Sequence, residues 1–141
     1  TDYEEFYHET YFLDAANADT DNDSMPDGWE INYGFDPTNA DDGTADADGD
    51  GLRNFEEIEG YYDANHNGIE DAGEQTVITD PLDADCDNDG LKDRMEIVIF
   101  GTDPHDTDTD NDGYTDFEEF NAGTDPLDPT SHPGGGGWFF P

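Results

Sequence analysis

A twelve-residue pattern recurs five times along this chain and limits its fold more tightly than any bulk property. The windows are DTDNDSMPDGWE from Asp19, DADGDGLRNFEE from Asp46, DANHNGIEDAGE from Asp63, DCDNDGLKDRME from Asp85 and DTDNDGYTDFEE from Asp108. Each has Asp or Asn at positions 1, 3, 5 and 9, an apolar residue at 7 and Glu at 12; position 6 is Gly, except for Ser24 in the first. A second motif follows most windows: FDP at Phe35, then TDP at Thr79, Thr102 and Thr124. Repetition on this scale describes an array of small units rather than one continuous core.

Composition makes the pattern a puzzle. Asp and Glu number 40 against 3 Lys and Arg, for a formal net charge of -37, and Leu, Ile, Val and Phe together supply only 22 of 141 residues. That balance by itself predicts disorder, because little apolar surface is available to offset chain entropy. The sign of the charge excludes nucleic acid and anionic membrane as partners and favours multivalent cations or basic surfaces. No run of 18 apolar residues exists to span a membrane. The chain opens at Thr1 with no signal peptide, which reads as a processed or excised fragment. Its one cysteine, Cys86, has no internal disulfide partner, which fits a reducing compartment or a secreted protein stabilised by other means.

The spacing resolves the puzzle, because it is that of an EF-hand-type calcium loop. Calcium takes six to eight oxygens at roughly 2.3–2.6 Å in a shell that a peptide can wrap. Candidate ligands at position 1 are Asp19, Asp46, Asp63, Asp85 and Asp108; at position 3, Asp21, Asp48, Asn65, Asp87 and Asp110; at position 5, Asp23, Asp50, Asn67, Asp89 and Asp112. Gly at 6 permits the sharp reversal. The carbonyls of Met25, Leu52, Ile69, Leu91 and Tyr114 supply the position-7 oxygen while their side chains pack the other way. Asp27, Asn54, Asp71, Asp93 and Asp116 occupy position 9, and Glu30, Glu57, Glu74, Glu96 and Glu119 reach back from position 12 with both carboxylate oxygens. A dication at the centre cancels the repulsion. A solvated acidic tract is the usual meaning of a charge run, but five windows sharing one register argue against it. The Asn-rich window at Asp63 carries the least negative shell and is expected to bind most weakly.

The segments between windows are 15, 5, 10 and 11 residues long. Paired EF-hands need a helix on each side of every loop, so a calcium sensor or buffer is disfavoured. One short helix fits, starting near position 9, with Gly34, Gly101 and Gly123 at C-caps and the Pro of each DP preventing continuation. The expected fold is a mostly irregular calcium-loop repeat array with short α-helices, elongated and with little sheet. The repeats occupy 19–130, between an aromatic segment at 1–18 and a Gly-rich, aromatic tail at 131–141.

Stretches such as DTDNDSMPDGWEINYGFDP and DTDNDGYTDFEEFNAGTDPLD resemble bacterial thrombospondin type 3 repeats over about Asp19 to Thr130. The resemblance implies a secreted or surface protein whose repeats bind structural calcium, often two ions per repeat, with no enzymatic activity. It also makes Asp36, Asp80, Asp103 and Asp125 of the DP turns candidate bridging ligands for a second ion. The departures are Ser24 for Gly, the Asn-rich window, and no TDP between the second and third windows.

Extracellular calcium modules bind with Kd of roughly 10⁻⁴–10⁻³ M, so cytosolic calcium would leave such sites empty and the expected location is outside the cell or at its surface. Five ions would change the formal charge from -37 to -27, and ten to -17. At the ends, EFYHETYFLD suits a strand and, almost as well, a helix. SHPGGGGWFFP tethers three aromatics behind four glycines. Both ends either supply core to the repeats or dock on a neighbouring copy. His8, His66, His105 and His132 share no ligand spacing, the NDS sequon at Asn22 sits inside a calcium loop, and no catalytic constellation is present. The reading is a calcium-rigidified structural module of an adhesive or filamentous surface assembly. The alternative is a calcium-stiffened spacer of a larger secreted enzyme or adhesin.

Overall fold

The computed structural model describes Leu13, residues 17–60 and residues 78–134. Among the described residues there are four short helices in irregular loops and no strand. They are α1 (Asp27–Tyr33), α2 (Asn54–Glu59), α3 (Asp93–Met95), which runs on as a π-helical turn over Glu96–Phe100, and α4 (Asp116–Ala122). This is the loop-rich architecture that the sequence predicts. The N-terminal strand or helix, the third window (Asp63, Asn65, Asn67, Ile69, Asp71 and Glu74) and the aromatic tail lie outside the described residues, Leu13 excepted.

Each helix begins at position 9 of its window, after an extended residue: Pro26, Arg53, Lys92 or Thr115. Acidic side chains fill every first turn, where the helix dipole favours them. Each helical segment stops at a left-handed glycine (Gly34, Gly60, Gly101 and Gly123), whose N–H returns to a carbonyl of the last turn. Glycine follows Glu30 and Glu119 by four residues but Glu96 by five. The widened π-helical turn absorbs the extra residue and keeps Glu96 in register with its loop.

One contact recurs where repeats meet. The outer oxygen of the position-5 aspartate accepts the N–H of position 10 in the next repeat: Arg94 N to Asp50 Oδ2 at 2.9 Å, and Phe117 N to Asp89 Oδ2 at 2.9 Å. The position-6 glycine lies under the same residue. A Cβ on Gly51 would come within 2.7 Å of the Arg94 side chain, and one on Gly90 within 3.3 Å of the Phe117 ring. The repeat from Asp46 is therefore joined directly to the repeat from Asp85, a link to which Lys92 adds a hydrogen bond on the Gly49 carbonyl. Thr79 N donates to the Glu57 carbonyl at 3.2 Å. The turn at Thr79–Asp80–Pro81 thus closes the repeat begun at Asp46.

The interior is inverted relative to an ordinary domain. Position-7 side chains Met25, Leu52 and Leu91 are buried, whereas Tyr114 stays 36 % exposed and stacks on His132. Met25 and Phe55 centre a small cluster with Trp29, Phe35 and Ile58. Only five hydrophobic side chains are buried among the described residues, against fourteen polar or charged ones, nine of them Asp or Glu of the loops and first helical turns at positions 5, 9 and 12. Buried charge needs a partner, and the basic residues are too few to supply it.

Candidate metal centre

Each loop is held by its own backbone before any ion is considered. The N–H of position 9 donates to the carbonyl just ahead of the window: Asp27 to Ala18 at 2.8 Å, Asn54 to Ala45 at 2.8 Å, Asp93 to Ala84 at 3.3 Å and Asp116 to Thr107 at 3.0 Å. The side chain of position 9 accepts the N–H of position 2 in return, from Thr20, Ala47, Cys86 and Thr109 at 2.6, 3.1, 2.9 and 3.1 Å. Hydroxyls of Thr20 and Thr109 occupy the second oxygens of Asp27 and Asp116. Where position 2 is Ala47, position 9 is Asn54, and its amide donates instead to the Asp42 carbonyl. Position 9 is therefore turned to loop closure, and only Asp93 keeps an unpartnered oxygen there.

Two left-handed residues curl each loop, at positions 4 and 6. The first is Asn22, Gly49, Asn88 or Asn111; the second is Gly in three loops and Ser24, with φ 79°, in the first. Position-1 carboxylates accept loop N–H groups, as in Gly49 to Asp46 at 2.7 Å and Gly113 to Asp108 at 2.9 Å. Position-5 carboxylates accept the position-7 N–H at 2.8, 2.6, 2.7 and 2.9 Å in the four loops. These bonds aim the remaining oxygens inward.

Four acidic groups result, each with ligand atoms mutually within 4.8 Å: Asp21, Asp23, Glu30 and Asp42; Asp46, Asp48 and Asp50; Asp85, Asp87 and Asp89; and Asp108, Asp110 and Asp112. Asp19 stands outside the first group. Glu57, Glu96 and Glu119 stand outside that radius but feel their own loops, through Asp48 and Asp50, Asp87 and Asp89, and Asp110 and Asp112 respectively. The four described position-12 glutamates are all 0 % exposed. Both oxygens of Glu30 and Glu119, and one each of Glu57 and Glu96, are buried with no hydrogen-bond partner. Burial, then the neighbouring aspartates, push Glu30, Glu57 and Glu96 up to about 8 and Glu119 to about 7. Burial likewise raises Asp23 and Asp87 to about 6.

These residues fit a hard cation. Oxygen is the only donor offered, in sets of unpartnered carboxylates, which suits calcium and magnesium rather than a soft metal. Cys86 does not alter this: burial first, then Asp93, pushes its thiol up to about 12, and its sulfur accepts the Asp80 N–H at 3.4 Å.

The DP motifs have two roles that spacing did not reveal. Asp36, Asp80, Asp103 and Asp125 each take the N–H two residues on at 3.0–3.1 Å, so they build the turn, and none joins an acidic group. The preceding Thr reaches the position-12 glutamate. Thr79 Oγ1 donates to Glu57 Oε1 at 3.1 Å and Thr102 Oγ1 to Glu96 Oε1 at 3.2 Å, while Thr124 Oγ1 reaches the Glu119 carbonyl oxygen at 3.3 Å. All three threonines are buried. In the first repeat Phe35 stands there and stacks on Trp29. The recurrence of Thr immediately ahead of Asp-Pro, at Thr79, Thr102 and Thr124, was the available signal.

No match to the chain was found among curated proteins or among solved structures. The bacterial TSP3 repeat model matches residues 19–40, 85–107 and 108–129. The repeat from Asp46 is left unmatched. The chain thus carries bacterial TSP3 repeats at three places, two of them consecutive.

Proposed function

We propose that this chain is a calcium-binding structural module that acts outside the cell, as a subunit of an adhesive or filamentous surface assembly, without enzymatic activity. The observation that carries the reading is the full burial of Glu30, Glu57, Glu96 and Glu119 with carboxylate oxygens that have no partner. An uncompensated buried carboxylate costs several kcal/mol; protonation offsets that cost in the metal-free chain, and a bound cation offsets it for the ionised glutamates of the four described repeats. Free calcium at about ten times Kd contributes about 1.4 kcal/mol per site. Four such sites approach the net stability of an ordinary domain. No helix among the described residues is long and apolar enough to cross a membrane, and millimolar affinity suits extracellular calcium. TSP3 repeats support the structural role. The aromatic ends, Phe6 to Leu13 and Trp138 to Phe140, supply joints between copies, and calcium straightens the segment between them.

Light scattering of the intact chain tests the assembly role, alongside chains lacking residues 1–13 or Gly134 to Pro141. The expected result is a calcium-dependent increase in particle mass that either truncation abolishes. A monodisperse particle of unchanged mass with and without calcium would refute self-assembly.

A further inference from the structure

The first repeat differs from the others in what completes it. A five-residue insertion, DDGTA at 41–45, separates its DP turn from the window at Asp46. The insertion is tied in at three points: Asp36 N donates to Asp42 Oδ2 at 3.0 Å, Asn54 Nδ2 to the Asp42 carbonyl at 2.8 Å, and Phe55 N to the Gly43 carbonyl at 3.1 Å. Gly43 lies so close to the Asp23 carboxylate that a Cβ there would overlap it. The N–H of Phe55, at position 10, therefore bonds the insertion, and Asp23 Oδ2 is left buried and unpartnered. This is the oxygen that the next helix occupies on Asp50 and Asp89.

Counting unpartnered buried oxygens separates the sites. The first offers two from Asp21, one from Asp23, two from Glu30 and one from Asp42, six from four carboxylates. The site from Asp46 offers one each from Asp48 and Glu57; those from Asp85 and Asp108 offer four each. The first group alone has drawn in its position-12 glutamate, which is 0 % exposed with both oxygens unpartnered. Calcium takes six to eight oxygens, and ligand charge and rigidity set its affinity.

We propose that Asp42, from outside the twelve-residue loop, is a ligand of the first repeat's ion, and that this site holds its ion most tightly among the described repeats. The proposal rests on the calcium reading above and adds a ligand that the repeat pattern does not contain. It also gives the insertion a purpose: it supplies a fourth carboxylate to the one described repeat in which Phe35 replaces the Thr of the DP turn.

Terbium and calcium titrations of the full chain test it. Trp29 precedes Glu30, so tryptophan-sensitised terbium emission, with W29F as its control, reports the first site. D42N is expected to raise roughly tenfold the terbium concentration for half-saturation, and to raise the calcium concentration for half-saturation of the same site by a similar factor. D41N removes the same charge one residue away, on an exposed side chain outside the group, and is expected to change little. E30Q serves as a second variant, inside the helix, and is expected to weaken the same signal. Equal shifts in D42N and D41N, or none in D42N, would overturn the proposal. Absence of any terbium or calcium binding by the unmutated chain would instead sink the calcium reading, and the proposal with it.

Discussion

Replacing Thr102 with Val removes one hydroxyl and leaves a side chain of nearly the same shape at a buried position. The lost bond is Oγ1 to Glu96 Oε1, 3.2 Å. With calcium bound, Glu96 is an anion, and a hydrogen bond to a charged group is worth about 1.5–3 kcal/mol. Without calcium, burial and the charges of Asp87 and Asp89 hold Glu96 up to about 8, so at neutral pH it is mainly protonated and the bond is worth about 0.5–1.5 kcal/mol. The difference, on the order of 1–1.5 kcal/mol, corresponds to roughly tenfold weaker calcium binding at one site. Calorimetric titration of the intact chain reads this directly, and T102S is expected to restore most of the affinity because it keeps the donor. Equal affinity for T102V and the unmutated chain would show that the hydroxyl does not position the glutamate. Equal losses in T102V and T102S would assign the effect to packing.

Two further outcomes follow from the loops. Ser24 holds φ 79°, where a side chain costs about 1 kcal/mol, so S24G is expected to raise the melting temperature of the calcium-saturated chain by several degrees, read by circular dichroism; an unchanged or lower value would refute strain there. Glu57 and Glu96 stand near 8 when folded without metal, against an ordinary 4.5. The metal-free folded state is therefore favoured below about pH 4.5 and loses that advantage as pH rises toward 8. Calcium must displace these protons, so its affinity is expected to rise with pH over the same window, with proton release at pH 7 visible as a dependence of binding heat on buffer. Binding heat independent of buffer would contradict this.

How much of this was legible in the sequence depended on range. Helix starts at position 9 and glycine stops at Gly34, Gly101 and Gly123 are decided within one turn of chain, and the sequence carries them openly. The left-handed residue at position 4 was also written there, as Asn or Gly in every described loop, but the reversal was assigned to position 6 alone. Position 9 was harder, because Asp suits equally a ligand and a latch on the position-2 N–H. The neighbour of Asp50 was hidden by the 17 residues from 61 to 77, which set Arg94 far away in sequence and close in space. Asp42 was invisible for the same reason, since it lies twelve residues beyond Glu30 and joins it only through a tied insertion.

On the proposed function, cations rather than an apolar core hold the described repeats folded. Far-ultraviolet circular dichroism of the intact chain, followed while EGTA removes calcium and excess calcium is then restored, tests it most directly. The signal of the helices beginning at Asp27, Asn54, Asp93 and Asp116 is expected to collapse at neutral pH on chelation and to return on adding calcium. A spectrum and protease resistance unchanged in excess EGTA would contradict it.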